Sequence, residues 1–414
     1  MSIATEIQRL QEAKADIKEA IENKGVTVSS SLTISDYADL IDSIPTDTTE
    51  VESKDVDFYD YDGTRLYSYT KQEFLALNEM PQNPTHEGLI SQGWNWSLAD
   101  AKDYLSDMPY LDIGQYYVTN DNKTRVYISV GNKTLTISVG IGINGTATVE
   151  WGDGASSTIT GTAVGNPTFA THTYSTSGDY VISISSSSQY RIVGGNTNAS
   201  YLVCIEQTDS ANNILYNCLI NKIELSNNCM LGRNALRSCA KLKSITIANT
   251  TEIKDSSAML GTLFEYILCP SSIKGSDNFR DCVNLKHFSI STGLTNTNGL
   301  NFGRNNNIKK VALPKSITTL SNYMFQNTGS VEYVKLPNSI TAITSRAFYQ
   351  AYGLKVCDMS TFTSIPTLSV DNLFNSNQDD LQIIVPDSLY DDWIVATNWS
   401  NYASYIVKES EYVG

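Results

Sequence analysis

Between Ile223 and Val385 an apolar-x-apolar pattern returns repeatedly: Ile223/Leu225, Ile245/Ile247, Tyr266/Leu268, Phe288/Ile290, Val311/Leu313 and Val334/Leu336, then more loosely Val356 and Ile383/Val385. Side chains two residues apart share one face of a strand. Successive pairs lie about 22 residues apart, within the roughly 20–29-residue period that predicts a solenoid with one short strand per coil. Upstream the period shortens. Residues 126–187 alternate apolar and polar at Val126, Ile128, Val130, then Leu135, Ile137, Val139, then Val149 and Trp151, with turns at Gly131-Asn132 and Asn144-Gly145, a run of short strands.

Residues 55–118 mix both habits. Val56, Phe58 and Tyr61, the turn Asp62-Gly63, and Leu66, Tyr67 and Tyr69 predict a β-hairpin, with Thr70 and Ser97 placed to cap the short helices that follow. At the start of the chain Ile3, Ile7, Leu10, Ile17 and Ile21 are spaced 4, 3, 7 and 4, with Lys14 in the skipped position, a three-heptad seam. Ile at both seam positions leans towards three strands. The alternative is a helical hairpin on its own chain, closed by a second helix from Ser35 with Tyr37, Leu40, Ile41 and Ile44 on one face and a stop at Pro45. At the other end, VPDSLYDDWIVATNW predicts a helix capped at Asp387 or Ser388, carrying Leu389, Trp393 and Trp399 over the last coil.

Composition restricts what such a chain binds. With 24 Tyr, 5 Trp and 41% hydrophobic residues it is an ordered protein, and at 18% charged residues its surface falls to Ser, Thr and Asn. A net charge of −15 argues against nucleic acid and anionic membrane as partners. No apolar run approaches the roughly 18 residues of a bilayer span, so no membrane insertion is expected, and MSIATEIQRLQEAKADIKEA reads as an amphipathic helix rather than a signal peptide. Synthesis in a cytoplasm follows. The seven Cys, without a CxxC pair, read as buried thiols rather than disulfides or zinc ligands.

Candidate chemistry is sparse. DYDGT at Asp60–Thr64 matches the haloacid-dehalogenase phosphatase word, but too few residues follow for the parallel α/β sheet those enzymes need, and a hairpin turn is the simpler reading. Asp57, Asp60 and Asp62 are weak calcium candidates without the twelfth-position Glu of an EF-hand loop. Gly140, Gly142 and Gly145 spell G-x-G-x-x-G, yet Thr146–Val149 continues as strand where a dinucleotide site needs a helix. His86, His172 and His287 fall in three different stretches. No catalytic residue and no cofactor is therefore assigned. Aromatic rings among Ser, Thr and Asn suit glycan or protein recognition, and Tyr323, Tyr333, Tyr349 and Tyr352 are the candidate receptor-binding side chains, with core or scattered surface aromatics as the plain alternative.

Three stretches resemble known families. ADIKEAIENKGV and LTISDYADLIDSI, with FYDYDGT, YSYT, MPQNPTHEGL, QGWNWSL and LDIGQ, resemble N-terminal modules of tail, baseplate and fibre proteins of tailed bacteriophages, with crAss-like phages of gut Bacteroidales as the group suggested. WGDG at Trp151–Gly154 and HTYSTSGDYVISIS at His172–Ser185 resemble PKD-type immunoglobulin-like domains, though the Phe of their W-x-F-G-D-G word is missing. NALRSCAKLKSITI, DNFRDCVNLKHFSI, YMFQNTGSVEYVKLP and RAFYQAYGLKVCDM resemble the BspA-type leucine-rich repeat, with Phe325, Phe348 and Phe374 at its Phe and Pro314 and Pro337 at its final Pro.

Pattern and resemblance together imply a multidomain, mainly β chain: an α-helical oligomerisation element (1–46), a linker (47–54), a small aromatic α+β docking module (55–125), a PKD/Ig-like β-sandwich (126–188), a leucine-rich-repeat solenoid (189–386) and a helical cap (387–414). The function they imply is a non-enzymatic virion head or tail fibre. It would be a homotrimer through Ile3, Ile7, Leu10, Ile17 and Ile21, bound to other virion proteins by residues 1–125, with its C-terminal domains on a host-surface glycan or protein. The alternatives are a purely architectural decoration or tail protein whose repeats bind virion subunits, and, remotely, a phosphatase using Asp60.

Overall fold

In the computed structural model, residues 51–130, 135–193 and 220–413 are described, apart from 238, 240, 322, 345, 370, 371 and 375–379; before residue 51 only 11, 14, 15, 17, 18, 28, 29, 33 and 37 are. The chain forms two units, Met1–Glu52 and Ser53–Gly414. In the first, Gln11, Lys14, Ala15, Ile17 and Lys18 are helical, and Val28 and Tyr37 are buried. The Lys14 ammonium lies 5.7 Å from the Tyr37 ring centre, a contact between the two stretches that the hairpin alternative pairs. Ile17 is 39% exposed, while Ile3, Ile7, Leu10 and Ile21 lie outside the described residues.

The second unit opens with the expected hairpin, β1 (Val56–Tyr59) and β2 (Arg65–Tyr69). Thr70 and Glu73 form a reciprocal capping box at helix α1 (Lys71–Leu75); β3 (Leu89–Trp94) follows, then α2 (Leu98–Asp107), capped by Ser97, and β4 (Leu111–Thr119). The sheet order is β2-β1-β4-β3, with β1 parallel to β4. Phe58 is its centre, edge-on to Tyr67, Tyr69 and Trp94. The Asp60–Thr64 word is the hairpin turn: Asp60 N donates to Thr64 O at 2.9 Å, and Gly63 takes φ +91°.

Strands β5 (Thr124–Val130), β6 (Leu135–Glu150), β7 (Ser156–Tyr174), β8 (Gly178–Ser185) and β9 (Tyr190–Val193) follow. The glycines of the G-x-G-x-x-G word all lie within β6. Trp151 is fully buried, its indole donating to Ser157 Oγ at 2.9 Å; Tyr174 Oη donates to Trp151 O at 2.6 Å, and His172 pairs with Asp153 at 2.7 Å, so the two sequence words meet in space.

Beyond them the period of the sequence becomes coils, and the expectation of one strand per coil is corrected to two. Ladder A, the apolar pairs, comprises β10 (Ile220–Glu224), β12 (Ser244–Ile245), β14 (Tyr266–Cys269), β16 (His287–Ile290), β18 (Tyr333–Lys335), β20 (Val356–Asp358) and β22 (Gln382–Val385). Ladder B runs along another side of each coil: β11 (Cys229–Leu231), β13 (Glu252–Ile253), β15 (Ser272–Ile273), β17 (Thr319–Leu320), β19 (Ala342–Ile343) and β21 (Thr367–Leu368). Between the ladders Phe279, Phe302, Phe325, Phe348 and Phe374 stack with ring centres 5.5–6.0 Å apart. The residue two places before Phe279, Phe325 and Phe348 takes positive φ, as Asp277, Tyr323 and Arg346, turning each coil towards the stack. The five described cysteines are buried, and burial raises the thiol of Cys282 to about 11 and that of Cys229 to about 12.

Two expectations need correction. The stretch 126–188 was expected as a separate sandwich, but its strands join the solenoid in one ten-stranded sheet, β12-β10-β5-β8-β6-β9-β11-β13-β15 with β7 paired on β6. β5 pairs with β10 of ladder A and β9 with β11 of ladder B, so these strands close the solenoid's first coil, whose edges would otherwise be unpaired. The single cap helix from residue 387 is instead a 3-10 turn (Asp387–Leu389), one turn of helix α3 (Tyr390–Trp393), a second 3-10 turn (Trp399–Tyr402) and strand β23 (Ile406–Lys408). Pro386 holds the N-cap position, and Asp387 instead accepts from Ser410 N at 3.0 Å, because β23 prolongs ladder A in parallel with β22. Trp393 and Trp399 are fully buried over the last coil, as the sequence predicts.

Candidate functional site

Both ladders are interrupted. Ladder A breaks between β12 and β14 and between β16 and β18, and the aromatic module lies over it. Tyr117 N donates to Ile247 O at 3.0 Å and Thr119 N to Leu225 O at 3.2 Å. The Trp96 indole donates to Ile290 O at 3.0 Å, and Tyr110 Oη accepts from Val311 N at 2.9 Å. Tyr59 stacks on Tyr266 and His287, each at 4.9 Å, and Asn95 Nδ2 donates to Ser289 Oγ at 2.8 Å. A Cβ on Gly114 would collide with the Tyr266 hydroxyl, so only glycine lets β4 approach β14 this closely.

Charge is sealed in with the apolar groups. Asp57 is fully buried against Arg65 at 3.5 Å and Lys310 at 3.7 Å. Asp112, facing His287 Nδ1 at 3.5 Å, is held above the usual carboxylate range by burial. Asp60 is raised for the same reason and sits 2.8 Å from His86, and Asp62 accepts from Thr64 N at 3.0 Å. The three calcium candidates thus serve separate sets of partners, and among the described residues no group of three or more His, Cys, Asp or Glu is placed to hold a metal.

Ladder B breaks between β15 and Asn296, which bridges onward to Thr319. There a cavity of about 590 Å³ opens, lined by Ser271–Asp277 from one coil, Gly293–Asn296, Asn298 and Asn301 from the next, and Ser321 and Tyr323 from the third. Side-chain amides replace the missing ladder. Buried Asn278 donates to Lys274 O at 3.0 Å and Gly299 O at 2.9 Å while accepting from Ala258 N at 3.0 Å. Asn301 donates to Asp277 at 2.6 Å, and Asn298 accepts from Ser321 Oγ at 2.6 Å. These bonds fix a cleft walled by hydroxyls, amides and one phenol, with the charged Lys274 and Asp277 also on its lining.

Of the four candidate tyrosines, Tyr323 lines this cleft at φ +63°, a conformation costly for a bulky side chain. Arg346 donates to its hydroxyl at 3.1 Å and lies over both the Tyr323 and Tyr349 rings, at 5.7 and 5.5 Å. Tyr333 lies on ladder A, bonded to Asp358 at 2.7 Å, and Tyr352 is 59% exposed. Sequence reasoning missed Asn278, Asn296, Asn298 and Asn301. Their signal was the second apolar strand of each coil, as in TEIK at Thr251–Lys254, SSIK at Ser271–Lys274 and SITAI at Ser339–Ile343, overlooked beside the stronger first pattern.

Residues 204–277 and 273–388 match the family described as BspA type Leucine rich repeat region, in six copies. The C-terminal region is accordingly a solenoid of BspA-type leucine-rich repeats. No curated protein matches the chain. Similar solved structures include a leucine-rich repeat protein from Bacteroides ovatus ATCC 8483, with 23% identity over 39% of this chain and 42% of that one and a TM-score of 0.34. Another is the pneumococcal vaccine antigen PcpA, with 15% identity over 43% of this chain and 64% of that one and a TM-score of 0.19. The chain therefore spans less than two thirds of either.

Proposed function

We propose that this chain is a non-catalytic recognition appendage that binds a glycan in the ladder-B cleft. The cleft itself carries the reading: a sugar presents hydroxyls around apolar ring faces, and Asn296, Asn298, Ser272 and Ser276 offer donors and acceptors beside the Tyr323 ring. On the resemblance of residues 1–125, the appendage is a head or tail fibre of a tailed bacteriophage, anchored through its N-terminal region and facing the host surface. Trimerisation through the heptad seam would multiply weak sugar contacts. The test is a glycan array probed with the full chain and with Tyr323→Ala. Binding that the substitution reduces about tenfold supports the reading, and an array with no bound glycan dismisses it.

The second reading, an architectural subunit whose repeats bind other virion proteins, has its own observation: ladder A already accepts a protein module across its surface. Particles carrying Tyr323→Ala separate the two. Normal assembly with reduced adsorption favours the glycan site, and failed assembly favours the architectural role.

A further inference from the structure

The cleft continues past Gly275. A second cavity of about 340 Å³ shares that glycine and is lined further along by Pro167, Phe169, Arg191, Arg233, Lys254 and Asp255. Gly275 has φ +82°, and a Cβ there would collide with the backbone of Asp255 and Ser256, so the joint between the two cavities excludes a side chain. Phe169 stands beside a bulge in β7, where residues 164–167 loop out between the pairs Ile141↔Thr168 and Ile143↔Ala163; it is 44% exposed.

Charge distinguishes this end. The chain carries −15 overall, yet three cations, Arg191, Arg233 and Lys254, line this cavity with a single lining carboxylate, Asp255, and a second carboxylate, Glu252, beside Lys254. Two are engaged: Arg191 pairs with Asp255 at 2.6 Å, and Lys254 pairs with Glu252. Among the described residues, Arg233, which is exposed, has no ion pair, and Arg191 Nε, buried in the wall of the same cavity, has no hydrogen-bond partner.

We propose that this cavity is the subsite for the carboxylate of an acidic sugar. It rests on the glycan reading above and names the class of glycan. The planar fork of Arg233 suits the two oxygens of a carboxylate, Phe169 offers a ring face to the pyranose, and neutral sugar units occupy the cleft towards Tyr323. A polyphosphate fits less well. It would need a row of cations, whereas the two other basic groups here are already paired.

The experiment is a glycan array followed by calorimetry, using the full chain and paired glycans: uronate- or sialate-containing oligosaccharides and the same oligosaccharides with the carboxyl reduced to an alcohol. The bound set is expected to carry carboxylates, and carboxyl reduction is expected to weaken binding about tenfold, the worth of one charge-assisted contact. Arg233→Ala should remove that discrimination, leaving acidic and reduced forms equal, while Tyr323→Ala weakens both. Arg233 is exposed, so its loss should leave the fold intact, which an unchanged Tm would verify. Equal binding of acidic and reduced forms by the unaltered chain, or unchanged discrimination in Arg233→Ala, overturns the subsite while leaving the glycan site standing. Binding of no glycan at all overturns both.

Discussion

At its breaks, ladder A meets a folded module. Carbonyls of Leu225, Ile247 and Ile290 and the amide of Val311 find partners on Thr119, Tyr117, Trp96 and Tyr110. At its break, ladder B meets solvent, and amides from Asn278 and Asn301 brace the two coils apart. The repeat unit is the same on both sides, so the difference lies in what covers it. An interruption filled by another part of the chain becomes core, and one that is braced but unfilled becomes a cleft.

The largest effect should come from unpegging the cover. Trp96 is 4% exposed, packs on Tyr104 and donates to ladder A. Trp96→Ala is expected to lower stability by about 3–5 kcal/mol in urea titrations, from lost apolar contact and an orphaned carbonyl. If the cover is an independent domain merely resting on the solenoid, the transition should split into two, and the contrast between filled and unfilled breaks would fail. Gly114→Ala probes the same surface from the opposite direction. Its methyl must displace the buried Tyr266 hydroxyl, at about 1–3 kcal/mol by the same measurement. Gly293→Ala, at the mouth of the cleft, meets little there and should instead show the strain of φ +91° alone.

That contrast also marks what could be read in advance. Ladder A was legible because each coil puts two large apolar residues two positions apart, as in Tyr266/Leu268 and Phe288/Ile290. Ladder B was overlooked, because its strands are two or three residues long and most carry a single large apolar side chain, such as Ile253 or Ile343, a weaker signal than the paired apolar residues of ladder A. The aromatic module could be recognised as a folded piece from its hairpin and its caps. Its place on ladder A could not, because contacts such as Asn95 to Ser289 join residues with no common period. Tyr323 was singled out for its chemistry alone. What selects it over Tyr333 and Tyr352 is the gap beside it, a property of three neighbouring coils rather than of any one repeat.

Two carboxylates on the ladder-A side extend the comparison to pH. Burial holds Asp112 above its ordinary value, so the folded state prefers its proton; its contribution is largest in acid and is lost as pH rises from the usual Asp range through the raised value. Burial also acts to raise Asp358, but bonds from Ser360 and Tyr333 and the Lys335 ammonium outweigh it and hold the group low. Its contribution is present above the usual Asp range and lost as pH falls through the depressed value. Asp358→Asn should therefore cost about 1–1.5 kcal/mol at neutral pH and almost nothing in strong acid. Asp112→Asn should remove the opposite slope, so that the variant gains on the unaltered protein as pH rises. Urea titrations from acid to neutral pH check both signs.

The smallest expected change in stability is the most informative about the open side. Tyr323 occupies a left-handed conformation that a bulky residue enters only against strain, whereas Asn enters it readily. If Tyr323 were there for the fold, replacing it would cost the bond from Arg346 and the ring contact beneath it, and Tm would drop. If the position is kept strained for the cleft, Tyr323→Asn should leave stability unchanged or raise it by about 1 kcal/mol or less, because relief of backbone strain offsets a half-exposed hydrogen bond. Glycan binding should be lost in the same variant. A Tm that holds or rises while affinity falls separates a recognition residue from a structural one. A Tm that falls with affinity would place Tyr323 with the packed tyrosines of ladder A and remove the distinction between the two sides.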